Sequence, residues 1–165
     1  MILVAIGANL PGKFASPADA IAAAFGELDR APLRVAARSR IYESPPWPQP
    51  STQPWYANAV VRLETELGPE ALLAHLHGVE REFGRVRGVL NAARTLDLDL
   101  IDYDGKVQDG PPILPHPRMA DRAFVLYPLA EITPDWRHPV LDRPISSLIA
   151  RLPADTVCRP IPPRA

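Results

Sequence analysis

Ala93-Arg94-Thr95-Leu96-Asp97-Leu98-Asp99-Leu100-Ile101-Asp102 sets carboxylates into a stretch whose apolar residues alternate as those of a strand do. Successive strand side chains point to opposite faces, so Leu96, Leu98 and Leu100 are expected in the core and Asp97 and Asp99 together on the other face. Asp is depleted in strands and neighbouring carboxylates repel, so the pattern asks for a cation. Mg²⁺ suits it, being a hard cation often held by one or two carboxylates while phosphates and water complete its octahedral shell. The plainer alternative is a solvated face whose acids pair with nearby arginines.

Upstream, Ile2 to Ala8 reads as a buried strand ending at Gly7-Ala8-Asn9. Ser16-Pro17 supplies an N-cap and a first-turn proline for a helix to about Asp29, with Ile21, Phe25 and Leu28 on one face. Val35 to Tyr42 alternates as one half-exposed strand, ended by the Pro-rich stretch Ser44 to Pro54. Tyr56 to Glu66 alternates again, with Tyr56, Asn58, Val60 and Arg62 on one side. Pro69 opens a helix whose Leu72, Leu73, Leu76, Val79 and Phe83 form an apolar stripe, closed by Gly84. The basic loop from Arg85 to Ala93 feeds the acidic strand. Asp104-Gly105 is expected to turn that strand into a hairpin with Lys106-Val107.

The order strand, helix, strand, strand, helix, strand predicts an α+β fold: a ferredoxin-like βαββαβ plait with a mainly antiparallel sheet. Further helices, Ala123 to Glu131 (interrupted by Pro128) and Ile145 to Leu152, are expected to cover an end or the second face, giving three α/β/α layers. At 165 residues the chain is read as a single domain, 1–165, large enough to bury about two-thirds of its unfolded surface.

A net charge of −1 offers no general attraction to nucleic acid or an anionic membrane. Anion binding must therefore come from local clusters. Of the basic residues only Lys13 and Lys106 are lysine, and arginine suits bidentate phosphate recognition. The lone Cys158 excludes an internal disulfide and points to a reducing compartment, the cytoplasm. No apolar run approaches the roughly 18 residues of a membrane span.

A D-x-D pair, an adjacent arginine loop and no Walker-type G-x-x-x-x-G-K-[ST] point to metal-assisted phosphoryl chemistry. Arg94-Thr95-Leu96-Asp97-Leu98-Asp99-Leu100 resembles the signature of the 6-hydroxymethyl-7,8-dihydropterin pyrophosphokinase family. Further matches follow in order: Ile6-Gly7-Ala8-Asn9-Leu10, Tyr42-Glu43-Ser44-Pro45-Pro46, Tyr56-Ala57-Asn58-Ala59, Glu80 with Gly84-Arg85-Val86-Arg87, and Pro115-His116-Pro117-Arg118-Met119 leading to Arg122-Ala123-Phe124-Val125-Leu126. The resemblance implies transfer of pyrophosphate from ATP to the pterin hydroxymethyl oxygen, releasing AMP, with two Mg²⁺ ions on Asp97 and Asp99. It implies Arg85 and Arg94 as catalytic arginines, and ATP contacts from His77, Glu80, Arg87, Arg94, His116 and Arg122. Stacking on the pterin falls to Tyr56 and Phe124 and recognition of its edge to Asn58, with Ser44, Pro45 and Trp47 lining the pocket.

The chain departs from the family pattern at Leu90-Asn91-Ala92-Ala93, at His77 and at Pro111, Ile113 and Pro117, which bears on adenine recognition. Two other readings compete: another metal-dependent nucleotidyl or phosphoryl transferase, and a non-catalytic ferredoxin-like module that binds RNA. Carboxylates on the exposed strand argue against the second. A monomer is expected, with no nucleic-acid or membrane partner. Arg85, between Gly84 and Gly88, is expected to be held loosely in the empty protein, and Arg94, at the entrance to a strand, firmly.

Overall fold

The computed structural model describes residues 1–46, 50–85 and 94–162. Along the chain run β1 (Ile2–Ala8), α1 (Pro17–Leu28), β2 (Arg34–Arg38), β3 (Tyr42–Ser44), β4 (Tyr56–Glu64), α2 (Pro69–Glu82), β5 (Asp97–Tyr103), β6 (Gln108–Asp109), β7 (Ile113–Leu114), a 3₁₀ turn (Met119–Asp121), α3 (Ala123–Ile132), α4 (Ile145–Ile149) and β8 (Arg159–Pro160). The protein is α+β, with antiparallel pairing throughout the main sheet. Its strand order is β5-β1-β4-β3-β8, and β2 also pairs with β4.

The signals read from sequence work as expected at the helix ends. Ser16 Oγ accepts from Asp19 N at 3.2 Å with Pro17 in the first turn. Gly84 closes α2 at φ +84°, a left-handed conformation that glycine adopts without strain. Gly84 N then donates to Arg81 O and Arg85 N to Glu80 O, the paired reversal of a Schellman ending. The positioning of Arg85 begins in this cap.

One sheet face carries Val4, Ile6, Ala59, Val61, Leu98 and Leu100 against Ile21, Phe25 and Leu28 of α1 and Leu72, Leu76 and Val79 of α2. The opposite face is covered over part of its area, where Leu3, Val60 and Ile101 pack on Val125, Leu126 and Leu129 of α3, Trp136, and Ile145 and Leu148 of α4. Among the described residues no helix covers the rest of that face, which forms the floor of a cleft. Among the described residues no helix is long and apolar enough to cross a membrane.

Three expectations need correction. The strand expected from Val35 to Tyr42 is two strands, β2 and β3. At the break Ser39 N donates to Val60 O, while Ser39 Oγ accepts from Val60 N at 3.0 Å, so a side chain takes over a backbone acceptor's place. The turn at Asp104-Gly105 forms, with positive φ at both residues, yet no hairpin returns along β5; β6 pairs instead with β7. α4 ends at Ile149, short of Leu152.

A further departure from strict alternation lies in β5 itself. Leu3 pairs with Asp102 and Val4 with Leu100, so Ile101 is an extra residue in the register. This bulge puts Asp102 on the face of α3, where its carboxylate accepts from Trp136 Nε1 at 2.8 Å and Gly105 N at 2.9 Å. Strict alternation would have driven that carboxylate into the apolar layer beneath α1 and α2.

Candidate active site

The cleft floor is built by register. Asn58 of β4, Gly7 of β1 and Asp97 of β5 lie side by side across three strands, and Ala5 pairs with Asp99 one step along. Neighbouring strands are about 4.8 Å apart, so Asn58 and Asp97 stand about 10 Å from each other across a floor of glycine and alanine. These small residues put no bulk of their own above that floor. Ser44, Pro45, Tyr56 and Asn58 line one end; Arg94, Asp97, Asp99, His116, Arg118 and Arg122 line the other; Phe124 and Val125 form a wall from α3.

At the first end Asn58 and Ser44 are both buried, and Asn58 Nδ2 donates to Ser44 Oγ at 2.9 Å. Burial raises the Tyr56 hydroxyl above its ordinary range, so it is a neutral donor at working pH. Arg122 lies over the Phe124 ring at 5.5 Å.

At the second end Asp97 is gripped from both sides. Arg85 Nη1 donates to its Oδ1 and Arg94 Nη1 to its Oδ2, each at 2.5 Å. Arg85 also bonds the buried Glu80, whose Oε1 accepts from Leu98 N at 2.8 Å on the open edge of β5. Glu80 therefore protects a sheet edge and holds an arginine at once. Asp99 has weaker partners, His116 Nε2 at 3.9 Å and Arg122 Nη1 at 3.7 Å. The cleft strips water from its carboxylate and Asp97 repels it, pushing Asp99 up to about 6 although 36% of the side chain faces the opening. His116 is pushed down to about 4 by burial and then by Arg122 and Arg118, so it is neutral at physiological pH. Its Nδ1 accepts from Arg118 N at 3.2 Å, which leaves Nε2 to carry the proton toward Asp99.

Among the described residues no group of three or more His, Cys, Asp or Glu side chains could hold a metal. Two adjacent carboxylates on one strand face nevertheless fit Mg²⁺, which leaves most of its shell to phosphate and water. They do not fit a cation that needs an all-protein cage.

The expected residues sort unevenly. Ser44, Pro45, Tyr56, Asn58, Arg94, Asp97, Asp99, His116, Arg122 and Phe124 come together on the cleft. Glu80 lies beneath Arg85 and not on the cleft wall, and His77 sits on α2, outside the residues that line the cleft. Trp47, Arg87 and Asn91 lie outside the described residues. Pro111 and Ile113 are in or beside β7, and Pro117 is in the turn after His116; none of the three lines the cleft. Arg85 is not loosely held: 13% of its side chain is exposed, and it is bonded to two carboxylates.

The sequence marks Asn9 only as part of a strand end, and the structure gives it a further part. Its Oδ1 accepts from Arg94 N at 2.8 Å, its backbone N donates to Arg94 O at 3.0 Å, and its Nδ2 donates to Gln53 Oε1 at 3.1 Å. One buried amide thus joins the approach to β5 to the end of the Pro-rich loop. A polar Asn after a buried strand was the available signal.

Residues 3–134 match the family model for 7,8-dihydro-6-hydroxymethylpterin-pyrophosphokinase. A 2-amino-4-hydroxy-6-hydroxymethyldihydropteridine pyrophosphokinase of Pseudomonas aeruginosa is 41% identical over 160 residues, which is 96% of this chain and 95% of that protein. One of the same name from Methylorubrum extorquens is 42% identical over 132 residues, 79% of this chain and 80% of that protein. A folic acid synthesis protein of Pneumocystis carinii is 34% identical over 163 residues, 98% of this chain but 21% of that longer protein.

Proposed function

Given that the chain belongs to the 7,8-dihydro-6-hydroxymethylpterin-pyrophosphokinase family, we propose that its cleft divides into a pterin end on β3 and β4 and a nucleotide end on β5 and the turn before α3. The protein is an enzyme of folate biosynthesis. It transfers pyrophosphate from ATP, its co-substrate, to 6-hydroxymethyl-7,8-dihydropterin, giving AMP and the pterin diphosphate.

The observation that carries the division is the row Asn58, Gly7, Asp97. At one end an amide beside Ser44, flanked by Tyr56 and Phe124, offers a flat heterocycle hydrogen bonds at its edge and aromatic surface at its faces. At the other end carboxylates and guanidiniums offer what a polyphosphate needs. A pterin held at the first end directs its hydroxymethyl group along the bare floor toward the second.

In the reaction the hydroxymethyl oxygen bonds to the β-phosphorus, the bond from that phosphorus to the α,β-bridging oxygen breaks, and AMP departs with the electron pair; the hydroxyl proton passes to solvent. Asp97 and Asp99 would hold two Mg²⁺ ions, whose chemistry is neutralisation of charge on the attacking and leaving sides. Arg85 and Arg94, already aimed at Asp97, are placed to turn toward the phosphates and stabilise charge that grows in the transition state. His116 and Arg122 would take the triphosphate from the opposite wall. Glu80 serves the nucleotide end by fixing Arg85 from beneath.

The architecture belongs to the same reading. With β2 and β3 counted as one arm, the order β5-β1-β4-β2/β3 and two helices on one face support a ferredoxin-like plait in a single domain, with α3 and α4 as a third layer. The lone Cys158 favours a reducing cytoplasm, and a monomer suffices because one chain supplies both ends of the cleft. Incubation with ATP, Mg²⁺ and the hydroxymethyl pterin tests the reaction: AMP and a pyrophosphorylated pterin are expected. Release of ADP or inorganic pyrophosphate would overturn it, the latter in favour of a nucleotidyltransferase.

A further inference from the structure

Arg118 stands out among the cations on the cleft. Arg85 and Arg94 are spent on Asp97, and Arg122 faces Asp99 at 3.7 Å. Arg118 lines the same cleft with no carboxylate within ion-pair distance among the described residues, and its side chain is exposed.

Its backbone is nonetheless anchored. Arg118 N donates to His116 Nδ1 at 3.2 Å, His116 N to Ile101 O at 2.9 Å, and Met119 N to His116 O at 3.2 Å, with the Met119 side chain fully buried in the layer under α3. A fixed root carrying a free guanidinium suits a group that meets a ligand at the rim. The position agrees, since Arg118 also lines an adjoining groove with Pro46, Asp121, Leu152 and Val157 and so stands where the two openings meet.

The electrostatics of this wall are unbalanced. Arg118 and Arg122 share this wall, and Arg122 faces its carboxylate only at 3.7 Å. Asp97 and Asp99 are the carboxylates that line the cleft among the described residues, and Asp97 is already taken by Arg85 and Arg94. Two guanidiniums on one wall, with little free counter-charge beside them, gain from an incoming anion.

The geometry points to Arg118 as a further substrate-contact residue, a rim guanidinium that takes phosphate oxygens beyond the α-phosphate of the nucleotide. This rests on the reading that the polyphosphate lies at the Asp97 and Asp99 end of the cleft. The ligand chemistry is a polyphosphate chain, carried by ATP on entry and by the pterin diphosphate on exit.

Calorimetry with α,β-methylene ATP and Mg²⁺ tests it, because that analogue keeps the chain but replaces the bond that breaks. Arg118→Gln should raise the analogue's Kd by about fivefold or more and flatten its dependence on salt, while AMP affinity moves less than about twofold. Arg118→Lys should recover part of the loss. The pterin diphosphate, titrated alone, separates entry from exit: weakening there as well means that Arg118 holds the chain in both directions. Unchanged analogue affinity in Arg118→Gln, or an equal loss for AMP, would overturn the inference. Wild-type protein that bound the analogue no better than AMP would instead sink the underlying placement of the polyphosphate.

Discussion

Arg85 is tied twice to Glu80, its backbone N–H donating to the Glu80 carbonyl at 3.1 Å and its guanidinium to the Glu80 carboxylate. The first bond belongs to the helix ending that Gly84 permits, and the second delivers the side chain to Asp97. The arginine proposed to act on the phosphates is thus positioned by the way α2 stops.

Glu80→Ala should therefore affect stability and turnover together. It leaves Leu98 N without its acceptor and Arg85 without a buried partner, a loss of about 3 kcal/mol in urea unfolding. Glu80→Gln keeps an acceptor and should lose less. Equal stability of Glu80→Ala and wild type would show that the edge of β5 is satisfied in another way.

Asp99 makes the opposite prediction, because its carboxyl titrates near 6 in the folded chain against an ordinary 3.8. Between about pH 4 and 6 the folded state holds the extra proton, so this contribution to stability falls as pH rises through that window. Above 6 the cost is present in full. In metal-free buffer at pH 7.5, Asp99→Asn should be more stable than wild type by about 1 kcal/mol, a figure discounted for the solvent that reaches the side chain. At pH 4 the advantage should vanish, and turnover with Mg²⁺ should be lost by orders of magnitude at both. An Asn variant less stable at pH 7.5 than wild type would refute the electrostatic account.

Gly7 can be tested as the cleft floor. A Cβ there would come no closer than 3.7 Å to Asn58 Oδ1, so the backbone tolerates a side chain and valine suits a strand. Gly7→Val should fold with a melting temperature within a few degrees of wild type yet bind both substrates poorly, because its branches fill the space between the two ends. Normal affinity for either substrate would mean that the ligand path runs elsewhere.

Asn58→Leu should separate the two substrates. It removes the bond to Ser44 and leaves the polar edge of the pterin unpaired, which costs about 2 kcal/mol or more of pterin affinity, while the nucleotide end about 10 Å away keeps its contacts. Calorimetric titration with each ligand decides it, and equal losses would count against the assignment.

The sequence by itself determined the periodicities. Alternation placed Leu98 and Leu100 inside with Asp97 and Asp99 on the other face, and Tyr56 with Asn58 on one face of β4, because a strand side chain's direction is set by its own backbone. Ser16-Pro17 and Gly84 marked helix ends for equally local reasons. Tertiary structure decided what local rules cannot reach. The break at Ser39 depends on a hydrogen bond to Val60, and the bulge at Ile101 on Trp136 claiming Asp102. That Gly7 lies between Asn58 and Asp97 follows from register across three strands, which no single segment contains. Arg85 looked loose because glycines flank it in sequence; a carboxylate on α2 and another on β5 hold it, and only folding brings those two within reach of one guanidinium.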